Sequence, residues 1–188
     1  GYAVVQPSVN LEQGFPGEAW MKGVTAAANK LIEMGVADPE RLGVQGTSYG
    51  GYATNLLITQ TNRFKAAISE RAVNHWVSMW GSSDFGWDFK GYIGAFLFES
   101  LDAYVRLSPA TYAPNITTPL LILHSENDLR CPVEQGEHLF VTLRLLKRDV
   151  EMVRFPDEGH ELSRSGSPLH RVKRFEIILD WLERRLKV

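Results

Sequence analysis

A single cysteine, Cys131, stands in 188 residues. It excludes an intrachain disulfide framework and suits a reducing, cytoplasmic compartment, with a secreted or periplasmic location left open. No apolar run approaches the roughly 18 residues of a membrane-spanning helix. Charge of neither sign prevails: 20 Lys and Arg face 22 Asp and Glu, for a net charge of −2. That balance leaves no electrostatic footprint for nucleic acid or an anionic membrane. The mildly basic stretches 144–148 and 171–174 fall in helical patterns and read as solvated faces. There is no H-E-x-x-H and no close-spaced pair of metal ligands, so nothing calls for a metal or cofactor. Internal repeats, low-complexity tracts and interdomain linkers are lacking too. So are an initiator methionine and a signal peptide: the chain opens at Gly1 in an apolar stretch and reads as a piece of something longer.

What is there suits one compact domain spanning 1–188, with 44% hydrophobic and 22% charged residues. The rhythm is that of a parallel sheet. Short apolar runs at 2–6, 42–45, 66–69, 119–124 and 151–155 read as strands. Helical patterns lie at 19–34, 49–60 and 133–146, and a last helix starts at Ser167 and Pro168. Its Val172, Phe175, Leu179, Leu182 and Leu186 make one apolar stripe. Gly35 is placed to cap the first helix. Residues 7–17, with two Pro and two Gly, read as a loop. Strands alternating with helices predict βαβ units, a mostly parallel sheet and helices on both faces. Residues 71–116 break the pattern. They hold half of the aromatics, Trp76 and Trp80 among them, with short helices expected at 75–79, 90–100 and 101–107.

Between the strand at 42–45 and the helix at 49–60 lies Gly46-Thr47-Ser48-Tyr49-Gly50, a G-x-S-x-G sequence. A one-residue turn from strand to helix forces the serine into a strained conformation. It is expected to need neighbours without a Cβ, two before and two after. Ser48 then stands exposed above the carboxyl end of its strand, at a helix N-terminus that favours a developing anion. A serine nucleophile needs a base, and the base needs an orienting carboxylate. The loops after the next strands carry Ser125-Glu126-Asn127-Asp128 and Pro156-Asp157-Glu158-Gly159-His160. Both fall on the rim that holds Ser48, which nominates Asp128 and His160. The rivals are poorer. Glu126 precedes the turn, Asp157 and Glu158 read as solvated loop acids, and His124 ends a strand and bonds within the rim. His138 and His170 lie on exposed helix faces, and His75 sits on the active rim as a possible substrate contact. A metal site made of His75, His124 and His160 lacks the ligand spacing.

Three motifs carry a family resemblance. Gly46–Tyr52, the run from Ser108 to Pro132 and Phe155–His160 resemble the prolyl oligopeptidase family of serine peptidases, in its acylaminoacyl-peptidase and dipeptidyl-peptidase-like branch. The resemblance spans nearly the whole chain. It implies an α/β-hydrolase catalytic domain with nucleophile Ser48, acid Asp128 and base His160, acting on peptide or acyl-peptide bonds. A β-propeller usually precedes that domain in the family, and none of it is here. Many members follow the strand corresponding to 2–6 with an Asn-x-Arg-Gly run. This chain has Pro7-Ser8-Val9-Asn10-Leu11-Glu12, so contacts from that loop are not carried over. Whether the enzyme is an exo- or endopeptidase stays open.

The Tyr49 N–H would donate one oxyanion hydrogen bond. By resemblance the second donor and a helping tyrosine lie upstream of Gly1. So does a strand belonging between 2–6 and 42–45, which a separate chain would supply unless residues 2–6 take its place. Trp76 and Trp80 would line an apolar substrate pocket or pack in the core, and Arg130 would meet a substrate carbonyl or carboxylate or brace its loop. A carboxylesterase with the same three residues and a non-catalytic interaction fragment are the competing readings. A homo-oligomer stays open.

Overall fold

The computed structural model describes residues 1–9 and 17–186. Helix α1 (Gly17–Glu33) leads into strand β1 (Gly43–Thr47), helix α2 (Tyr49–Gln60) and strand β2 (Ala66–Glu70). Five short segments follow: α3 (Trp76–Ser82), a 3-10 turn at Gly86–Asp88, α4 (Phe89–Ile93), α5 (Leu101–Leu107) and a 3-10 stretch at Pro109–Asn115. The chain closes with β3 (Leu120–Ser125), α6 (Glu134–Leu145), β4 (Val150–Phe155), the one-turn α7 (Leu162–Ser165) and α8 (Pro168–Leu186). The four strands form one parallel sheet in the order β1-β2-β3-β4. Its register runs from Gly43 opposite Ala66, through Ala67 opposite Leu120, to Leu120 opposite Val150. This is the α/β-hydrolase arrangement, with every strand's carboxyl end on one rim. Among the described residues no helix is long and apolar enough to cross a membrane.

The period-2 pleat sorts the two inner strands between two cores. Ala67, Leu120 and Ile122 pack under Ile58 of α2 and Leu139 and Leu143 of α6. Ala66, Ile68, Leu121 and Leu123 pack on the other face against Ile178, Trp181 and Leu186 of α8. A third cluster joins Trp20 of α1, Tyr52 of α2 and the aromatic block around Trp76 and Phe89.

Three expectations fail here, each for a non-local reason. Residues 2–6 form no strand and Val4 is 85% exposed. No described strand lies on the outer edge of β1, the side away from β2, to satisfy their backbone or cover their side chains. The helix expected at 90–100 stops at Ile93, because Gly94 turns into the left-handed region at φ 93°. The apolar stripe of α8 is also misplaced over its first half, while Leu182 and Leu186 pack against the core as expected. Val172, Phe175 and Leu179 stay exposed while Arg174, Ile178 and Trp181 are buried. The helix is turned to bring Arg174 onto Glu70 at the end of β2, a pairing that a count of apolar residues cannot see. Of the loop read at 7–17, residues 10–16 lie outside the described residues.

Candidate active site

The turn between β1 and α2 holds Ser48 at φ 58° and ψ −120°, a left-handed backbone that only an over-determined site maintains. The Ser48 N–H donates to Glu70 O at 2.8 Å, and Ser48 O accepts from the Tyr52 N–H at 3.0 Å, which locks the turn to β2 and α2. The two flanking glycines are not equivalent. A Cβ on Gly46 would lie 2.0 Å from Gly50 O and 2.2 Å from Gly50 C. One on Gly50 would meet nothing within 4 Å, so the expected need for glycine on both sides holds only at Gly46. It is the Gly50 backbone, not its missing side chain, that Gly46 must clear. Gly51 brings α2 against the sheet, where an added Cβ would lie 2.7 Å from Ala72 Cβ.

A prediction follows from that asymmetry. Gly46→Ala is expected to lose about 1–3 kcal/mol or more as the turn is forced apart. Gly50→Ala, at an exposed helix position, should gain about 0.5–1 kcal/mol and keep its activity. Thermal unfolding of the two variants checks this, and equal tolerance at both sites would refute it.

The structure brings Ser48, His160 and Asp128 into one hydrogen-bonded chain. His160 Nε2 lies 2.9 Å from Ser48 Oγ, and His160 Nδ1 lies 2.7 Å from Asp128 Oδ2. Asp128 has a fully buried side chain, and its Oδ1 accepts the N–H groups of Arg130 at 2.9 Å and Cys131 at 2.8 Å. With the carboxylate accepting at Nδ1, the ring proton sits there and Nε2 is free to accept from the serine hydroxyl. Behind the Asp128 turn, His124 Nε2 donates to Cys131 O at 2.8 Å. Burial holds the His124 imidazole well below its usual range, so it serves as a neutral tether. The Cys131 thiol is buried beside Ser48, and burial pushes it far up and leaves it unionised.

The other residues singled out in the sequence have partners of their own. Glu126 pairs with Arg154 at 2.9 Å. Glu158 is no solvated acid: it is buried, accepts the Ser167 N–H at 2.9 Å and meets His170 Nδ1 at 2.7 Å. That bond also draws His170 partly out of solvent. His75 caps α3 by accepting the Ser78 N–H at 3.2 Å and stacks on His138 at 4.9 Å. Burial first, then His138, lowers the basicity of His75, against the opposing charge of Glu134. Trp76 is buried among Tyr52 and Phe89, whereas Trp80 is half-exposed beside Phe96, Phe98 and Tyr104. Arg130 lies over the Phe85 ring and donates to Asp84 at 2.7 Å. Burial pushes the Tyr49 phenol up to about 12, so it stays a neutral hydroxyl, and the backbone N–H of Tyr49 lies in the first turn of α2, where helix N–H groups have no intrahelical acceptor.

Comparison with known proteins now bears on the chain. The pattern of the prolyl oligopeptidase family matches residues 13–188. The chain belongs to that family. It is 42% identical over 199 residues to the uncharacterized peptidase YuxL of Bacillus subtilis, covering 99% of this chain and 30% of that protein. To the acylamino-acid-releasing enzyme of Arabidopsis thaliana it is 34% identical over 167 residues, covering 81% of this chain and 22% of that one. The acylaminoacyl peptidase of Pyrococcus horikoshii superposes with a TM-score of 0.85 at 38% identity, over 90% of this chain and 28% of that one. An acylaminoacyl peptidase in complex with Z-Gly-Gly-Phe-chloromethyl ketone superposes equally well. The chain thus spans less than a third of the length of these family members.

Sequence reasoning missed one cluster on this rim, Glu70 with Arg174 and Arg71. Glu70 accepts from Gln45 Nε2 at 2.8 Å, from Thr47 Oγ1 at 3.3 Å and from both Nε and Nη2 of Arg174. The available signal was an acid and a base placed directly at the end of an apolar strand.

Proposed function

We propose that residues 1–188 form the catalytic domain of a longer serine peptidase that cleaves peptide or acyl-peptide bonds. The unbroken Ser48–His160–Asp128 chain on a strained turn carries this reading. Ser48 Oγ attacks the carbonyl carbon while its proton passes to His160 Nε2. The carbonyl oxygen becomes an oxyanion, and the Tyr49 N–H donates to it. Collapse breaks the C–N bond, and the departing amine takes the proton from His160. Water then loses a proton to His160 and adds to the acyl carbon; the C–Oγ bond breaks, and His160 returns the proton to Ser48 Oγ as the acid product leaves. Asp128 keeps the ring proton on Nδ1 and balances the transient imidazolium.

The named activity of the Arabidopsis relative and the tripeptidyl chloromethyl ketone held by the acylaminoacyl peptidase support a peptide or acyl-peptide substrate. Trp80 then lines the pocket for an apolar side chain, with Trp76 backing it from the core. Arg130 meets a substrate carbonyl from the rim. The free edge of β1 suits a further strand, from another segment of the same protein or from a separate chain.

A fluorophosphonate probe tests the reading. It should label the protein and fail to label Ser48→Ala. Acyl-amino-acid and peptide anilides should be hydrolysed in preference to simple p-nitrophenyl esters. Ester cleavage alone would favour a carboxylesterase, and no labelling at all would refute hydrolysis.

A further inference from the structure

One buried cation on the catalytic rim has no part in the reaction just described. Arg71 is the first residue past β2, 1% exposed, with φ at 45°. Its N–H extends the sheet ladder by donating to Leu123 O at 2.9 Å. A side chain with a Cβ takes this conformation only where its surroundings hold it there, and such residues gather at functional sites. The guanidinium is poorly matched by its neighbours. Nη2 donates to Ser163 Oγ at 3.1 Å, Nη1 lies 3.8 Å from Glu70 Oε2, and neither Nε nor Nη1 has a hydrogen-bond partner.

Glu70 offers Arg71 little, since both its oxygens are taken by Arg174. The other acids whose charge reaches Arg71 are Asp128, the partner of His160, and Glu161, its neighbour in the chain. Burial draws the guanidinium's basicity down, and Glu70 is the largest influence opposing it.

Ser163 is what gives this charge a use. It lies in α7, three residues past His160. The segment around the histidine is bonded mainly to itself, through Leu162 N–H to Gly159 O at 3.2 Å and Arg164 N–H to Glu161 O at 2.8 Å. On one side Glu158 ties it to the start of α8. On the other, the Asn127 N–H donates to Glu158 O at 2.9 Å ahead of His160, and past it the side-chain tie into α7 is Arg71 to Ser163, which runs from the strand next to the Ser48 turn.

We propose that Arg71 is a positioning residue for His160. It holds α7, and with it the imidazole, within reach of Ser48 through its hydrogen bond to Ser163. This rests on the reading of Ser48, His160 and Asp128 given above.

The test compares Ser163→Ala, Arg71→Lys and Arg71→Met by kcat, KM and the rate of fluorophosphonate labelling. Ser163→Ala removes the tie without changing any buried charge and should lower kcat roughly 3–10-fold, the worth of one hydrogen bond. Arg71→Met should lower it about 10–100-fold, the range of a base displaced by a fraction of an ångström to an ångström. Arg71→Lys should fall between them. KM should stay within about twofold throughout, and labelling should slow in parallel with kcat, because both need a correctly placed base.

A pH profile separates positioning from mere stability. The charged groups facing Arg71 are Glu70 from β2, Arg174 from α8, Asp128 from the loop after β3 and Glu161 from the loop after β4. Removing one cation from that set favours the imidazolium form of the site. The acid limb of kcat/KM should therefore move to higher pH in Arg71→Met and stay in place in Arg71→Lys. A role in stability alone would lower the melting temperature and leave kcat of the folded protein and the limb unmoved. That result, or wild-type kcat in Ser163→Ala, overturns the proposal. If Arg71→Met does not fold, Ser163→Ala and Arg71→Lys decide. Ser48→Ala is the control: activity persisting there would sink the reading of the site itself, whereas an inactive Ser48→Ala beside an unaltered Ser163→Ala would sink this proposal alone.

Discussion

Ser48→Ala is expected to lower kcat by roughly 10⁴–10⁶ while the protein stays folded. The size of the effect comes from the chain of bonds behind the hydroxyl. Ser48 Oγ is 2.9 Å from His160 Nε2, and the ring is fixed by Asp128 at 2.7 Å. Without Oγ there is no covalent acceptor for the acyl group, and His160 and Asp128 can only assist water. Any residue left comes from binding and the oxyanion donor. Removing the hydroxyl costs no core packing, because Ser48 is only half-buried and its backbone bonds to Glu70 and Tyr52 remain. Alanine also tolerates the φ of 58° no worse than serine does. The check is turnover of an acyl-amino-acid anilide alongside circular dichroism. A folded Ser48→Ala protein with more than about a tenth of wild-type kcat would refute the assignment, since triad removal elsewhere costs orders of magnitude more.

The largest expected effect on stability lies at Arg174. Its guanidinium meets both oxygens of Glu70, whose side chain is fully buried. Arg174→Met leaves that carboxylate in the interior with Gln45 and Thr47 as hydrogen-bond donors and Arg71 Nη1 at 3.8 Å, beyond hydrogen-bond reach. Breaking one side of such a pair costs about 3–5 kcal/mol, mostly the penalty of an uncompensated buried charge. For a chain of this size that is a fall of roughly 6–20 °C in melting temperature. The double variant Glu70→Met/Arg174→Met removes the orphaned charge and should recover part of the loss. Urea unfolding of the single and double variants decides the matter. A single variant within about 1 kcal/mol of wild type would mean that water or another group satisfies Glu70. The same pair ties α8 to the strand that accepts the Ser48 N–H, so destabilisation should also blunt activity near the melting transition.

Local chemistry made much of this molecule readable from the sequence alone. The G-x-S-x-G turn announced β1, Ser48 and α2, because a one-residue strand-to-helix turn admits few sequences. β3 and β4 were legible as short apolar runs. The rule that loops at strand carboxyl ends share a rim then brought Asp128 and His160 to Ser48. α5 matches the short helix expected at 101–107, and the structure adds that Ser100, read as part of a preceding helix, is its cap.

What the sequence could not decide depends on contacts between distant residues. Residues 2–6 look like a buried strand, but a strand exists only where a neighbour completes its ladder, and among the described residues none lies on the outer edge of β1. Val172, Phe175 and Leu179 look like the inner face of α8. The packing instead turns Arg174 inward with Ile178 and Trp181, so that the helix buries these apolar side chains and a bidentate bond to Glu70, 104 positions away. Gly50 looks as necessary as Gly46, yet only the folded turn shows which of the two backbones blocks a Cβ. Arg71 carries no distinguishing mark in the sequence, and only β2, β3 and α7 closing around it make it a buried cation. Composition, spacing and turn chemistry determined the fold class and nominated the residues of the site. The tertiary structure decided which faces are inside and which buried charges are left unmatched, since burial and pairing are properties of surfaces that meet only once the chain has folded.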